Sequence, residues 1–140
     1  MPPGPYEVFE HGADYGVRGF GPTLEAAFEN AARAMFSIAV EPLSEVAPLR
    51  RIAVEAEAPD EELLLVEWLN ALLAGASLEG IVPGDCRARI SDGRLAGEAS
   101  GEPFDPARHR GGTEVKGATL TLLRVAREGE GYLAQCVVDV

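Results

Sequence analysis

Residues 86–100, CRARISDGRLAGEAS, carry the clearest fold signal in the chain. Polar and apolar residues alternate on both sides of Asp92-Gly93, as they do in half-buried strands. An Asp-Gly pair between two such runs is typical of a tight β-hairpin, because both residues tolerate the positive φ angles that its turn requires. The stretch therefore predicts two antiparallel strands, residues 86–90 and 94–100.

Two amphipathic helices are predicted before this hairpin. From Thr23 to Ile38, apolar residues recur at helical spacing, and Glu25 lies where a carboxylate stabilises the positive end of the helix dipole. Asp60 is a good N-cap for a second helix, since two glutamates and a nearly unbroken apolar run follow it. We expect this second helix to be buried on most sides.

The order of all predicted elements indicates the fold class. Further strands are predicted at residues 6–10, 16–20, 51–58, 114–126 and 132–140. The last two most simply form a hairpin around the turn at residues 128–131. This order predicts an α+β fold, with two helices packed on a largely antiparallel sheet. A doubly wound fold is excluded, because the last third of the chain contains no predicted helix.

Size and composition predict one compact domain over residues 1–140. Hydrophobic residues make up 46% and charged residues 25%, which are ordinary globular values. No run of 18 apolar residues predicts a membrane span, and residues 1–5 lack the basic and apolar regions of a signal peptide. We therefore expect a cytoplasmic protein without membrane contact.

The net charge of −11 argues against strong direct binding of nucleic acid through phosphates. It favours a basic protein surface as the partner, although acidity that only aids solubility is an open alternative. Cys86 and Cys136 are far apart and form no Cys-x-x-Cys motif, so zinc and redox chemistry lack support. Both are expected to pack as small apolar residues.

Acidic residues near both ends of the chain predict a metal site. Asp14 lies in the polar turn between the first two strands, and Asp139 lies in an apolar terminal stretch. If that turn and the last strand meet, Asp14, Asp139 and the free carboxylate of Val140 form an all-oxygen cluster. Such a cluster suits a hard divalent cation.

Strand periodicity places two charges on apolar rows. Lys116 shares its parity with Leu120, and Asp139 shares its parity with Val137. A partner across the sheet, a metal or a cleft mouth would explain charges in such places. The alternative is that both strands fray at these ends, so that the two groups reach water.

Other polar groups give weaker signals. His11 and Asp14 are spaced as metal ligands can be, but this spacing often occurs by chance, and an Asx turn closed by Asp14 is the favoured interpretation. Asp105, Arg108 and His109 form either a second polar site or an ordered surface loop, because prolines surround them. No serine or cysteine lies in a nucleophile motif.

Taken together, several ordered motifs resemble the archease family over nearly the whole chain. They are YEVFEHGADYGVR at 6–18, TLEAAFENAA at 23–32, WLN at 68–70, GEPFDPARH at 101–109, EVK at 114–116 and VVDV at 137–140. The resemblance implies a small acidic cofactor in tRNA processing that is not itself an enzyme. Its partner would be the guanylate-dependent tRNA-splicing RNA ligase, which joins a 3′-phosphate or 2′,3′-cyclic phosphate end to a 5′-hydroxyl end.

The resemblance also implies roles for individual residues. Asp14 and Asp139 match positions linked to a divalent metal and to ligase activation, and Lys116 matches a basic position needed for activation. Calcium is the expected metal, with magnesium or manganese as alternatives. Two departures matter: Gly12 replaces the usual threonine, and residues 117–122 lack the usual tyrosine and frequent histidine. They leave the role of that stretch open.

Three functions compete at this point. The leading hypothesis is an activator that promotes guanylylation and multiple turnover of the ligase. The second is a small metal-dependent hydrolase acting on phosphate-containing substrates, in which Lys116 steadies negative charge. It has no evident general base beyond His11. The third is a plain interaction module, which would leave charges on apolar rows unexplained.

Overall fold

The computed structural model describes residues 5–140. The expectation that the first residues are no signal peptide concerns mainly residues 1–4, which lie outside the described part. The helices are α1 (Leu24–Ala39) and α2 (Glu61–Glu79), and a 3₁₀ turn spans Leu43–Glu45. The strands are β1 (Tyr6–His11), β2 (Asp14–Gly21), β3 (Val40–Glu41), β4 (Arg50–Glu57), β5 (Val82–Ser91), β6 (Arg94–Glu102), β7 (Arg110–Gly111), β8 (Gly117–Ala118), β9 (Arg124–Glu128) and β10 (Gly131–Asp139). No helix in this part of the chain is long and apolar enough to cross a membrane.

The strands form two main antiparallel sheets. In the five-stranded sheet, β1 pairs with β2 and β2 with β10, while β8 and β9 pair with the other edge of β10. In the three-stranded sheet, β6 lies between β4 and β5. Both helices and both sheets contribute to one hydrophobic core. The prediction of two helices on a largely antiparallel sheet in one domain is confirmed.

Helix α1 begins as predicted and packs closely on the five-stranded sheet. The Thr23 hydroxyl accepts a hydrogen bond from the backbone N–H of Ala26 at 3.1 Å, which caps the helix. Gly19 of β2 allows the close approach, since a Cβ there would lie 2.2 Å from the backbone nitrogen of Ala31. The side chain of Glu29 accepts from the Ala88 N–H at 2.9 Å, so α1 also covers the free edge of β5.

Helix α2 is buried on most sides, as predicted. Asp60 caps it by accepting from the Leu63 N–H at 2.8 Å. Trp68 is fully buried at its centre, and the indole N–H donates to the carbonyl of Phe28 at 3.0 Å. That bond satisfies a polar group which burial would otherwise leave without a partner. The Trp68 ring lies against Gly97 of β6, so α2 also anchors the three-stranded sheet.

The β5–β6 hairpin is confirmed and is longer than predicted. Its turn residues Asp92 and Gly93 have φ angles of 52° and 73°. Ser91 pairs with Arg94 directly beside them, which is the register of a two-residue turn.

The prediction of one continuous strand over residues 114–126 is wrong. Only β8 and β9 are strands in this region, and both lie against β10. The Thr119 N–H donates to the carbonyl of Val137, and the Val137 N–H donates to the carbonyl of Thr121, both at 3.0 Å. Ala118 pairs with Val138 and Arg124 with Gln135, so residues 119–123 lie opposite only Cys136 and Val137 and form an irregular bulge in the pairing. The periodicity changes phase at such a bulge, and the apolar composition of this stretch does not reveal it.

Candidate metal and partner site

The β1–β2 turn and the end of β10 meet at one end of the five-stranded sheet. His11 pairs with Asp14 across the two-residue turn, in which Gly12 has a φ of 59°. Tyr15 pairs with Val138 in the next position. Asp14 and Asp139 each lie one residue beyond that pair, and alternation along strands therefore places them on the same face of the sheet.

A hydrogen bond joins Asp14 to the last residue of the sequence. Its Oδ1 accepts from the backbone N–H of Val140 at 3.2 Å. The first turn and the last strand therefore meet, which is the condition on which the predicted cluster depends. The alternative of an Asx turn is wrong, because this carboxylate bonds to the other end of the chain. Oδ2 of Asp14 accepts no hydrogen bond from residues 5–140, so it is available to a ligand.

Lys116 borders the same end of the sheet from the other side. Its backbone N–H donates to the carbonyl of Asp139 at 2.8 Å, and the next residue, Gly117, pairs with Asp139. Both the Lys116 and the Asp139 side chains are exposed. Within residues 5–140, Lys116 forms no ion pair.

Solvent exposure corrects the interpretation of charges on buried apolar rows. Asp139 is the last residue of β10, and the row that buries Val137 ends before it. Lys116 precedes β8, so it does not belong to a continuous row with Leu120. The alternative in which both groups reach water is the correct one. Exposure also makes both side chains accessible to a ligand or partner.

The donor set fits a hard cation. Asp14 and Asp139 supply carboxylates, and the Val140 carboxylate would supply a third donor beside them. All are oxygens, which calcium and magnesium prefer over nitrogen and sulfur. Among residues 5–140, no cluster of three or more His, Cys, Asp or Glu side chains could hold a metal. The residues therefore suit an open site completed by water or a partner, and binding itself stays a prediction.

The polar loop after β6 is built around a buried carboxylate that sequence reasoning missed. Glu102 and His109 have side chains only 3% and 0% exposed. Oε2 of Glu102 accepts from the Ala47 N–H at 2.6 Å and lies 3.1 Å from Nε2 of His109. Nδ1 of His109 accepts from the Asp105 N–H at 2.9 Å, so the proton of neutral His109 lies on Nε2. Arg108 pairs with Oε1 of Glu102.

This network closes the loop and leaves no reactive group free within it. The hydrogen bond from Arg108 and that from the Ala47 N–H lower the pKa of Glu102 to about 2. Of the two interpretations for Asp105, Arg108 and His109, the ordered surface loop is therefore correct. The one available signal was that Arg108 and His109 follow Glu102 closely enough to pair with it. This signal does not indicate that Glu102 is buried.

Both cysteines pack as small apolar residues, as predicted. Cys86 and Cys136 are buried and unpaired. Burial raises the pKa of each thiol to about 12. Neither is a nucleophile near neutral pH, because the thiolate is the reactive form.

Residues 6–140 match the Archease protein family. The chain belongs to the archease family. The protein named archease from Pyrococcus furiosus is 40% identical over 140 residues, covering 96% of this chain and 98% of the relative. The protein archease of Sulfurisphaera tokodaii is 36% identical over 137 residues, with the same coverage. The family resemblance predicted from the motifs is confirmed.

Solved structures agree with this archease fold. The solution structure of Methanobacterium thermoautotrophicum protein 1598 has a TM-score of 0.74 at 29% identity, covering 97% of this chain and 99% of that one. A crystal structure from Thermotoga maritima, described as an archease and possible chaperone, has a TM-score of 0.59 at 20% identity, covering 94% of each chain. The second likeness concerns the fold alone.

Proposed function

We propose that this archease is an accessory protein that activates the guanylate-dependent tRNA-splicing RNA ligase. The observation that carries the proposal is the convergence of Asp14, Asp139 and Lys116 at one exposed end of the five-stranded sheet. These residues come from three separate segments, and the family resemblance assigns activation to all three. Their accessibility supports a role towards a partner.

The chemistry of this end suits a site that handles metal and nucleotide. A divalent cation, with calcium as the expected metal, would be held by Asp14, Asp139 and Val140. When bound, the cation would neutralise phosphate charge during transfer of guanylate to the ligase. Lys116 bonds to Asp139 through its backbone N–H and its side chain is exposed, so it can offer a positive charge to a phosphate or to an acidic group of the ligase.

The chemistry of the described residues supports an activator over an enzyme. The cysteine thiols are buried, and burial raises the pKa of each to about 12. His109 is fully buried, and both its ring nitrogens are engaged by Glu102 and Asp105. The exposed His11 is the remaining histidine. A ligase that brings its own catalytic groups would need only metal and charge from this protein.

The overall charge supports a basic partner. A net charge of −11 gives attraction towards the positive surface that an RNA-binding enzyme presents. Such attraction raises the rate of encounter and weakens as salt is added. Association with the ligase should therefore slow as ionic strength rises.

A reconstitution with purified ligase tests the proposal. Ligase guanylylation would be measured with GTP, with and without archease. RNA joining would be measured in the same way, with one RNA that ends in a 2′,3′-cyclic phosphate and one that begins with a 5′-hydroxyl. We expect archease alone to be inactive and substoichiometric archease to restore multiple turnover. Asp14→Asn and Asp139→Asn should lose this effect, whereas Asp92→Asn, in the exposed β5–β6 turn, should keep it. Phosphate release by archease alone would favour the hydrolase, and absence of any effect on ligase would overturn the proposal.

A further inference from the structure

Strand β4 has one edge without a backbone partner among residues 5–140. It pairs with β6 alone, over all eight of its residues and without a bulge. The Ala58 N–H donates to the Gly93 carbonyl at 3.1 Å, which shows which residues face β6. Because backbone groups alternate in direction along an antiparallel strand, every second residue of β4 directs its N–H and C=O groups to the free edge. These residues are Arg51, Ala53, Glu55 and Glu57.

Most other sheet edges are covered by helices. Side chains of α1 and α2 accept hydrogen bonds from N–H groups of β5, β8 and β9. The acceptors are Glu29, Asn70 and Glu62, at 2.9, 2.9 and 3.3 Å. The edge of β4 has no such cover in the described part of the chain, and β4 contains no proline or glycine that would block pairing. It is therefore a template for another strand.

The charges of β4 are separated along the strand. Arg50 and Arg51 occupy its first two positions, and Glu55 and Glu57 lie in its second half, all with exposed side chains. A second copy that pairs antiparallel about a two-fold axis at Val54 places Arg51 opposite Glu57 twice. Opposite charges directly across a strand pair are stabilising. The free edge is thus complementary to itself.

An axis at Val54 satisfies the backbone and the charges together. In this register the free-edge groups of Ala53 face those of Glu55, so they exchange hydrogen bonds. An axis one residue earlier would place Glu57 opposite Leu49, and one residue later would place the two copies of Glu55 opposite each other. Strand β1, whose outer edge is also uncovered within residues 5–140, carries two glutamates but no lysine or arginine. Its charges would repel a second copy.

Existing ion pairs leave these charges available. Arg51 lies 3.8 Å from Glu98, and Glu57 lies 3.5 Å from Arg94, with all four side chains at least 45% exposed. Exposed ion pairs at such distances contribute little to stability. Arg51 and Glu57 can therefore turn to a strand that arrives at the edge.

The side of α2 that lies over β4 is apolar. A Cβ at Gly75 would lie 3.0 Å from the Ile52 side chain and 3.6 Å from that of Val54. Ala71 and Leu78, four residues before and three after Gly75, lie on the same side of the helix. Leu78 is 91% exposed. A second copy that extends the sheet would bring its own α2 towards this side and cover it.

We propose that β4 pairs antiparallel with β4 of a second copy of this chain, so that the two three-stranded sheets join into one continuous sheet. The inference goes beyond ligase activation and does not depend on it, because the candidate site lies on the other sheet. The net charge of −11 opposes association of two copies at low ionic strength. Salt at about 0.15 M screens this repulsion beyond about 8 Å, whereas opposed side chains of paired strands lie closer together.

A charge swap tests the pairing and its register. Sedimentation at about 0.15 M salt would give the dissociation constant of each dimer. Arg51→Glu and Glu57→Arg each create two like-charge pairs, and each should raise that constant by about tenfold. An equal mixture of the two variants should restore dimers, because both pairs are then opposite in charge. Arg87→Glu, on the exposed face of β5, changes the net charge as Arg51→Glu does and should leave the dimer intact.

Amide hydrogen exchange reports on the edge directly. In the wild type, exchange at Ala53 and Glu55 should slow as protein concentration rises, because these N–H groups donate to the second copy. Ala53→Pro removes one such donor and keeps every N–H that faces β6. It should weaken the dimer, while its melting temperature at dilute, monomeric concentration stays close to that of the wild type.

Each contrary outcome overturns the inference. A wild type that is monomeric up to a concentration on the order of 1 mM excludes the dimer. Equal weakening by Arg87→Glu, a variant mixture that does not restore dimers, or unchanged association in Ala53→Pro excludes pairing through β4. If ligase slows exchange at Ala53 and Glu55 while archease stays monomeric, the edge serves ligase instead. Ligase activation by the same samples tests the proposed function separately.

Discussion

Asp14 accepts a hydrogen bond from the backbone N–H of Val140, so the first residue of β2 fixes the position of the last residue of the sequence. The two residues are 126 positions apart, and they meet because β2 and β10 are neighbours in the sheet. One carboxylate oxygen thus holds the chain end in place, while the other remains available. Asp14 therefore has a structural role and a proposed ligand role, and different substitutions separate them.

The first prediction compares Asp14→Asn with Asp14→Ala. Asparagine keeps an oxygen that accepts from Val140, whereas alanine removes it. Both variants should weaken calcium binding by about tenfold or more, because each removes a ligating charge. Only alanine should lower stability, by about 1 kcal/mol for the lost hydrogen bond. Calorimetry and thermal melting measure the two effects. Calcium affinity in Asp14→Ala equal to that of the wild type would exclude a shared site with Asp139.

The second prediction concerns the Val140 carboxylate. A tag added after Val140 converts this group to a neutral amide, while the N–H that donates to Asp14 remains. Calcium affinity and ligase activation should fall, and the melting temperature should stay the same. The same tag placed before residue 1 is the control. If both tagged proteins activate ligase equally, Val140 is not a ligand, although Asp139 can remain one.

Local sequence predicted the elements whose signals lie within a few residues. Thr23 and Asp60 cap their helices as expected, and Asp92-Gly93 forms the expected turn. These features depend on hydrogen bonds or dihedral angles that the residue type itself favours. The meeting of Asp14 with Val140 was different, because the acidic signals at the two ends only raised it as a condition for a shared site and did not predict it.

Features that depend on distant neighbours could not be predicted. The bulge at residues 119–123 arises from pairing with Val137 in another strand, so the local alternation gave the wrong continuous strand. Asp139 was expected on a buried row, and it is exposed because β10 ends there. Burial of Glu102 results from its contacts with Ala47 and His109, which lie in loops on both sides.

The third prediction uses Glu102 to test the loop network by pH. Its pKa in the folded protein is lowered to about 2 from an ordinary value of 4.5. Between these values the unfolded state binds more protons, so acidification should destabilise the wild type from about pH 4.5 down to about pH 2. Glu102→Gln should be less stable at neutral pH, and its difference from the wild type should narrow across this window. Melting temperatures of both proteins, measured from pH 2 to pH 6, would show this narrowing. A difference between the two proteins that stays constant with pH would contradict the low pKa of Glu102.

The last prediction is that Lys116 serves the partner or its nucleotide and contributes little to folding. If it neutralised a buried carboxylate, Lys116→Ala would cost about 3–5 kcal/mol. Both Lys116 and Asp139 are exposed, however, and alanine keeps the backbone N–H that bonds to Asp139. The free energy of unfolding should therefore change by no more than about 0.5 kcal/mol, while ligase activation is lost. Arg89→Ala, an exposed cation on the three-stranded sheet, should change neither.

Chemical rescue makes this test stricter. Lys116→Cys followed by aminoethylation restores an ammonium group at position 116, and Cys86 and Cys136 resist the reagent because they are buried and burial raises the pKa of each to about 12. Activation should be absent in the unmodified variant and return after modification, which a purely structural role would not produce. A Lys116→Ala protein that melts far earlier, yet still activates ligase when folded, would show that the lysine stabilises the fold and does not serve the partner.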